Sequence, residues 1–367
     1  MIYNWQQPDW PEFRYDVSEV EDMLFEFAEL TGHVSGILKA LPEAVQLEAV
    51  IDMMVAEAIK TSEIEGEYLS RQDVISSIRN NLGLNQAPEE TKDKMAKGAG
   101  ELMADARKTY AGDMTMEKLF QGHVMLLKEQ KQINVGMWRS HEEPMQVVSG
   151  ALGKEKVHFE APPSFRVPDE MHRFIGWFNR TAPGGDNAIN KAPVRSAVAH
   201  LYFETLHPFE DGNGRIGRAI AEKALSQTLG RPVLLSLSRI IEADKKAYYN
   251  ALEQAQKSND ITSWVIYFVG VILKSQQQAI SLVDFILKKS KFFDRFNNSL
   301  NARQKKAVRR MLDAGPEGFE GGMNARKYTA ITKASKATAT RDLQHLLELG
   351  AFIQEGGGRS TRYILNI

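Results

Sequence analysis

The twelve residues HPFEDGNGRIGR, His207 to Arg218, constrain this chain more than any other stretch. They set Gly212-Asn213-Gly214 between two segments with apolar helical spacing, Pro193–Leu206 before and Arg215–Leu229 after. Glycines flanking an asparagine accept positive φ and expose consecutive backbone N–H groups. The helix that follows at once turns its free N–H groups and the positive end of its dipole toward the same spot. A helix–loop–helix with an anion site at its bend, most naturally for phosphate, is the expectation. Arg215 and Arg218 are one turn apart and can share a face, and guanidinium grips oxyanions in bidentate fashion. Asp211 at the mouth is repelled by phosphate unless a cation intervenes, which points to Mg²⁺. His207 is then a titratable group beside a phosphate, suited to act as general base for an attacking hydroxyl. Each part has a plainer reading: Gly-Asn-Gly also fits a simple turn, and a histidine before proline also fits a packed side chain. His200 and His207 have no third ligand at usable spacing, which argues against zinc.

The frame around this stretch is that of an ordinary soluble chain. At 367 residues it exceeds what one core usually serves, so two or three domains are expected. A net charge of −1 gives no global attraction to nucleic acid or membrane. The absence of cysteine excludes disulfides and thiol catalysis. The opening "MIYNWQQPDWPEF" lacks a basic end followed by an apolar run, and "WVIYFVGVIL", Trp264 to Leu273, is too short to span a bilayer. A cytoplasmic chain with no membrane role is the reading.

Pro42 to Gly66 carries apolar residues at helical spacing, with Gly66 as its stop signal. Ser70 is placed to cap the next helix, and Asn85 to Lys94 reads as a polar loop. Met145–Ser149 and Val157–Phe159 read as the arms of a short β-hairpin stopped by Pro162 and Pro163. Residues 301–367 hold twelve Lys/Arg against six Asp/Glu, a net +6. Their pattern is helix, helix, turn, helix and two strands around a glycine-rich tip, the order of a winged helix-turn-helix.

With every fixed position filled, His207-Pro-Phe-Glu-Asp-Gly-Asn-Gly-Arg-Ile-Gly-Arg resembles the motif H-x-F-x-[D/E]-G-N-G-R-x-x-R of the Fic family. The resemblance implies a mainly α Fic fold with a small β-hairpin flap, an N-terminal helical region (1–105), a Fic catalytic domain (106–290) and the winged helix (291–367). It implies a protein adenylyltransferase that moves AMP from ATP to a Tyr, Thr or Ser hydroxyl of a target protein, or of itself, releasing pyrophosphate. His207 would deprotonate that hydroxyl, Asp211 would hold Mg²⁺, Gly212, Asn213, Gly214 and Arg215 would cradle the phosphates, and Arg218 would meet the γ-phosphate. Phe209 would anchor the core. Gly214 stands where the phosphotransferase branch has Lys, which favours nucleotidyl transfer. The hairpin around Val147, Val148, Ser149 and Gly150 resembles the flap that covers the nucleotide and aligns the target chain by strand addition. Tyr248 and Tyr249 resemble the pair beside the adenine, where plain helix packing is the alternative; Gln256 stands where relatives often have Asn.

Thr61-Ser-Glu-Ile-Glu65-Gly66 places a carboxylate in a last helical turn, where the dipole disfavours it by roughly 0.3–1 kcal/mol. It needs a cation or water. The segment resembles the Fic inhibitory motif [S/T]-x-x-x-E-[G/N], here N-terminal to the domain as in class II members. The resemblance implies that Glu65 pairs with Arg218 and so competes with the γ-phosphate, within one chain or across a homodimer. Two alternatives stand beside transfer: removal of AMP with Glu65 as base, and a transcriptional regulator that reads DNA. For the latter, Thr338, Thr340, Arg341 and Gln344 lie on the recognition helix and Arg359 and Arg362 at the wing; a protein partner of the winged helix is equally open.

Overall fold

The computed structural model describes residues 2–149, 156–316 and 318–367, with Ser149 and Arg359 in backbone only. Among the described residues the chain is mainly helical. The helices are α1 Glu21–Ala40, α2 Glu43–Ile64, α3 Arg71–Leu82, α4 Lys94–Lys108, α5 Met116–Leu127, α6 Val167–Arg180, α7 Ala192–Leu206, α8 Asn213–Leu229, α9 Leu237–Ala243, α10 Lys245–Ala255, α11 Thr262–Phe296, α12 Ala302–Leu312, α13 Ala325–Thr332 and α14 Lys336–Glu348. The strands are β1 Gln146–Ser149 with β2 Lys156–Glu160, and β3 Phe352–Glu355 with β4 Arg362–Leu365, each pair antiparallel. No helix among the described residues is long and apolar enough to cross a membrane.

The chain falls into two compact units, Met1–Gly32 with Val50–Gln277 and His33–Ala49 with Gln278–Ile367. The N-terminal segment and the central helices thus share one unit. The expected boundaries at 105/106 and 290/291 fall inside α4 and α11, because both helices run on past those points as single hydrogen-bonded elements.

In the first unit every residue of α7 is buried, polar ones included. Such a helix has no solvent face, so its polar side chains depend on protein partners. Arg195 does so through Phe178 O, Ala224 O, Thr181 Oγ1, Thr228 Oγ1 and Gln227 Oε1. α8 begins at Asn213, two residues before the sequence reading, because Gly212 at φ 79° supplies the left-handed cap. Ser70 caps α3 as expected, accepting the Asp73 N–H at 3.3 Å. The first hairpin is fixed from outside: Trp5 donates to the Glu160 carbonyl at 2.8 Å, and Trp5, Phe159 and Ala161 form a buried cluster on which Tyr3, Trp10, Met145 and Val147 pack.

In the second unit α12, α13 and α14 close over Phe292, Phe296, Leu300, Val308, Met311, Tyr328, Leu343 and Leu346, and β3–β4 follow. The element order is the one read from the sequence. Buried Asp342 gathers the Tyr328 hydroxyl at 2.9 Å and Arg303 Nε at 2.9 Å.

Candidate active site

The site forms where α7 hands the chain to α8. α7 ends at His207, whose backbone is left-handed at φ 45°, uncommon for a side chain with a Cβ. Arg139 holds it there. Buried to 2% exposure, Arg139 donates from Nε to the His207 carbonyl at 2.8 Å and from Nη2 to Leu206 O at 3.3 Å, and its own N–H reaches Pro208 O at 2.9 Å. A cation on the last carbonyls of a helix suits the dipole as well. Phe209, fully buried, stacks on the His123 ring at 4.1 Å. His123 accepts the Gly136 N–H at Nδ1 (2.8 Å) and donates from Nε2 to the Asp211 carbonyl (3.2 Å), so both ring nitrogens brace the loop.

Gly212 is required twice over. Its φ is positive, and a Cβ there would stand 2.9 Å from Leu127 Cδ1. Asn213 turns its side chain onto Phe209, accepting its N–H at 2.9 Å and donating to its carbonyl at 2.8 Å. That amide pins the loop, and only the backbone of Asn213 is left to face an anion. The first N–H groups of α8, at Asn213, Gly214 and Arg215, have no intrahelical carbonyl to bond.

The N-terminal motif meets this loop. Arg218, 1% exposed, donates from Nε to Thr61 Oγ1 at 2.7 Å and from Nη2 to Thr61 O at 3.0 Å and Glu65 Oε1 at 2.7 Å. Glu65 Oε1 lies over Gly214 so closely that a Cβ there would be 2.4 Å away. Burial alone would weaken the Arg218 guanidinium's hold on its proton, but Glu65, with Tyr248 and Glu204 behind it, outweighs that and the pKa stands above the ordinary value. Gly66, at φ 84°, lets the chain turn away directly after Glu65.

A second contact was not visible in the sequence. Arg215, 2% exposed, donates from Nη1 to Glu67 Oε2 at 2.5 Å, with Nη2 at 3.5 Å from Asp211 Oδ1. Its Nε is buried without a partner. Both arginines of the loop are therefore paired with carboxylates from the segment after α2. Burial raises the Glu67 carboxyl and Arg215 opposes it.

His207 sits among these groups with 16% of its side chain exposed. Burial first, then the Arg139 charge, hold its pKa down to about 4, so the ring is neutral at pH 7. Its Nδ1 is 3.9 Å from Glu204 Oε2. Asp211 is half exposed, and its Oδ1 accepts its neighbour Gly212's N–H at 2.6 Å, leaving Oδ2 for a cation. No cluster of three or more His, Asp and Glu able to hold a metal occurs among the described residues. A single carboxylate of this kind fits an ion whose other ligands are phosphate and water.

The remaining expected residues are placed as follows. Val147 and Val148 lie on β1, Val147 toward Trp5 and Phe159, Val148 48% exposed. Ser149 ends the strand, and Gly150 lies outside the described residues. Tyr248 is a core residue, 1% exposed, its hydroxyl 2.8 Å from His200 Nε2; Tyr249 beside it is 42% exposed. Gln256 is buried, its carbonyl accepting the Asn4 N–H at 2.8 Å. In the second unit Thr340, Arg341 and Gln344 are exposed on α14 and Thr338 is half-buried, while Arg362 is paired with Glu355 at 2.8 Å.

Comparison with known proteins bears on this geometry. Residues 113–225 match the Fic/DOC family, and residues 3–84 match a domain of unknown function, DUF4172. A probable protein adenylyltransferase of Aquifex aeolicus is 22% identical over 201 residues, 52% of this chain and 56% of that protein. A protein adenylyltransferase Fic of Culex quinquefasciatus is 31% identical over 90 residues, 24% of this chain and 16% of that one. The chain thus spans about half the length of the first relative and a small part of the second. The crystal structure of a Fic family protein from Desulfovibrio desulfuricans G20 superposes with a TM-score of 0.55 at 18% identity, covering 97% of this chain and 98% of that one. With its His207–Arg218 loop inside the segment that matches the Fic/DOC family, the chain is a mainly helical protein with the fold of that Fic family structure.

Proposed function

We propose that this chain is an autoinhibited protein adenylyltransferase that transfers AMP from ATP to a hydroxyl of a target protein. One observation carries the reading: Arg218, the second arginine of the loop, is held by Thr61 and by Glu65 at 2.7 Å, across Gly214. An anion cradle, a base and a competing carboxylate meet in one place. The names of the two relatives support the same reaction class.

In the reaction the target hydroxyl oxygen bonds to the α-phosphorus, the bond to the β-phosphate bridging oxygen breaks, and pyrophosphate leaves. His207 takes the hydroxyl proton at Nε2, the nitrogen turned away from Glu204. Arg215, Arg218 and the α8 N–H groups orient the phosphates, and orientation is most of what a phosphoryl displacement needs. Asp211 Oδ2 would hold Mg²⁺, which supplies charge neutralisation on the phosphates when bound. The outer edge of β1, unpaired among the described residues, would receive the target chain as an added strand. Glu65 on Arg218 and Glu67 on Arg215 would keep both arginines from phosphate. The test is labelling of protein by ATP carrying a labelled α-phosphate: Glu65→Gly labels at least tenfold more than the wild type, and His207→Ala not at all. Equal labelling by all three sinks the reading.

Two further readings have support. Glu65 Oε2 has no hydrogen bond among the described residues and its side chain is 30% exposed, which suits a base for water in removal of AMP. Release of free AMP from modified protein, lost in Glu65→Gly, tests this. The second unit exposes Lys336, Thr340, Arg341 and Gln344 along α14, which suits a winged-helix contact with duplex DNA.

A further inference from the structure

Glu204 is a carboxylate on a helix that has no solvent face. It is 6% exposed, and its Oε1 has no hydrogen-bond partner. It packs against Gly217, where a Cβ would stand 2.2 Å from Glu204 Oε1 and force the carboxyl to move. Oε2 lies 3.9 Å from His207 Nδ1. The charges that act on Glu204 are Arg218 of α8 and Glu65 at the end of α2, while Tyr248 of α10 responds to it and His200 of α7 lies across Gly217. His207 in turn responds to Arg139, to the Glu204 backbone, to Glu65 and to Asp211. Glu204 thus couples both to the paired arginine and to the base, as Glu65 does, but it lies on the same helix as the base and next to it.

We propose that Glu204 is a positioning residue through which the Glu65–Arg218 pair sets the base strength of His207. The inference rests on the proposed transferase reading. While Glu65 neutralises Arg218, burial keeps the Glu204 carboxyl protonated, with its pKa pushed up to about 8. A neutral carboxyl does little for the ring. Once Glu65 is gone, the Arg218 charge is uncompensated and draws the Glu204 proton off. The carboxylate then stabilises the imidazolium that His207 becomes when it takes the target's proton. Inhibition would in this way mute the base as well as occupy the phosphate site.

A double-mutant cycle read by NMR tests this independently of activity. The His207 ring is titrated in the wild type, Glu204→Gln, Glu65→Gly and Glu65→Gly/Glu204→Gln, its resonance assigned by loss in His207→Ala. Direct effects of Glu65 on His207 cancel in the cycle. In the Glu65→Gly background Glu204→Gln lowers the His207 pKa by about one to three units, and in the intact background it leaves it in place. Glu204→Asp, which keeps the acid, retains part of the effect. Thermal melts establish that each variant is folded. An equal shift in both backgrounds, or none in either, overturns the proposal. In labelling with ATP and Mg²⁺, the double variant has a kcat about tenfold below Glu65→Gly with an unchanged KM for ATP; a change in KM alone counts against a role at the base. Absence of labelling in Glu65→Gly alongside an intact NMR cycle would reject the transferase reading and leave the coupling standing.

Discussion

Arg218 is the residue on which the account turns, because its donors can serve one occupant at a time. Nε and Nη2 are taken by Thr61 and Glu65, and in the proposed reaction a γ-phosphate would have to displace them. The pairing also stabilises the fold, since removing one partner leaves a buried charge uncompensated. Glu65 is 30% exposed, which screens part of that. Glu65→Gly is therefore expected to be more active yet less stable, by on the order of 1–3 kcal/mol in denaturant unfolding without nucleotide; a variant more stable than the wild type would contradict the pairing. Glu67→Gln should release Arg215, with its unpartnered buried Nε, and lower the KM for ATP by several-fold while raising labelling less than Glu65→Gly does. Glu204 has a signature in stability. Its folded pKa is raised to about 8 from an ordinary value near 4.5, so the folded state holds the proton longer and stability is lost as pH rises between those limits. Glu204→Gln removes that loss: its advantage over the wild type grows from pH 4.5 to 8 and then levels, reaching at least about 1 kcal/mol. A difference independent of pH would mean that the carboxyl ionises normally.

At the scale of elements, the α7–loop–α8 unit was legible because its information is local. His207, Asp211, the glycines and both arginines lie within twelve residues, and helical spacing on either side left one arrangement. α8 starts two residues before helical spacing alone places it, because the left-handed cap at Gly212 lets Asn213 and Gly214 enter the helix. The contacts that brace the loop were not legible. Arg139 to His207 spans 68 residues, His123 to Asp211 spans 88, and Glu67 to Arg215 spans 148. Nothing in a single arginine or histidine marks such a partner before packing sets its direction. Glu204 did carry a signal, as the one acid in the helical run Pro193–Leu206, three residues before His207. The Tyr248–Tyr249 pair was legible as a pair, but packing puts the first ring in the core against His200 and leaves the second exposed. The loop itself can be tested at Gly212. Gly212→Ala meets both positive φ and Leu127 at 2.9 Å and should cost roughly 1–3 kcal/mol while abolishing labelling in the Glu65→Gly background; unaffected stability would mean that the loop is looser than described.

For the whole molecule, the chain divides into two compact units. The first holds the loop, His207 and both carboxylates that engage the arginines; the second is a helix-and-hairpin body built on its own core. Its sequence balance of +6 over residues 301–367 is modest, so duplex binding should show mainly in salt dependence. If α14 makes the contact, Lys336→Ala/Arg341→Ala in the full chain reduces the slope of log K against log salt by about 2, and an unchanged slope removes α14 from the interface. The central claim, that Glu65 restrains AMP transfer through Arg218, is tested most directly by mass spectrometry of the Glu65→Gly protein after incubation with ATP and Mg²⁺. The account expects a mass gain of one AMP, located on a hydroxyl side chain and lost in Glu65→Gly/His207→Ala. The same gain in the His207→Ala background, or a gain of phosphate in place of AMP, would contradict it.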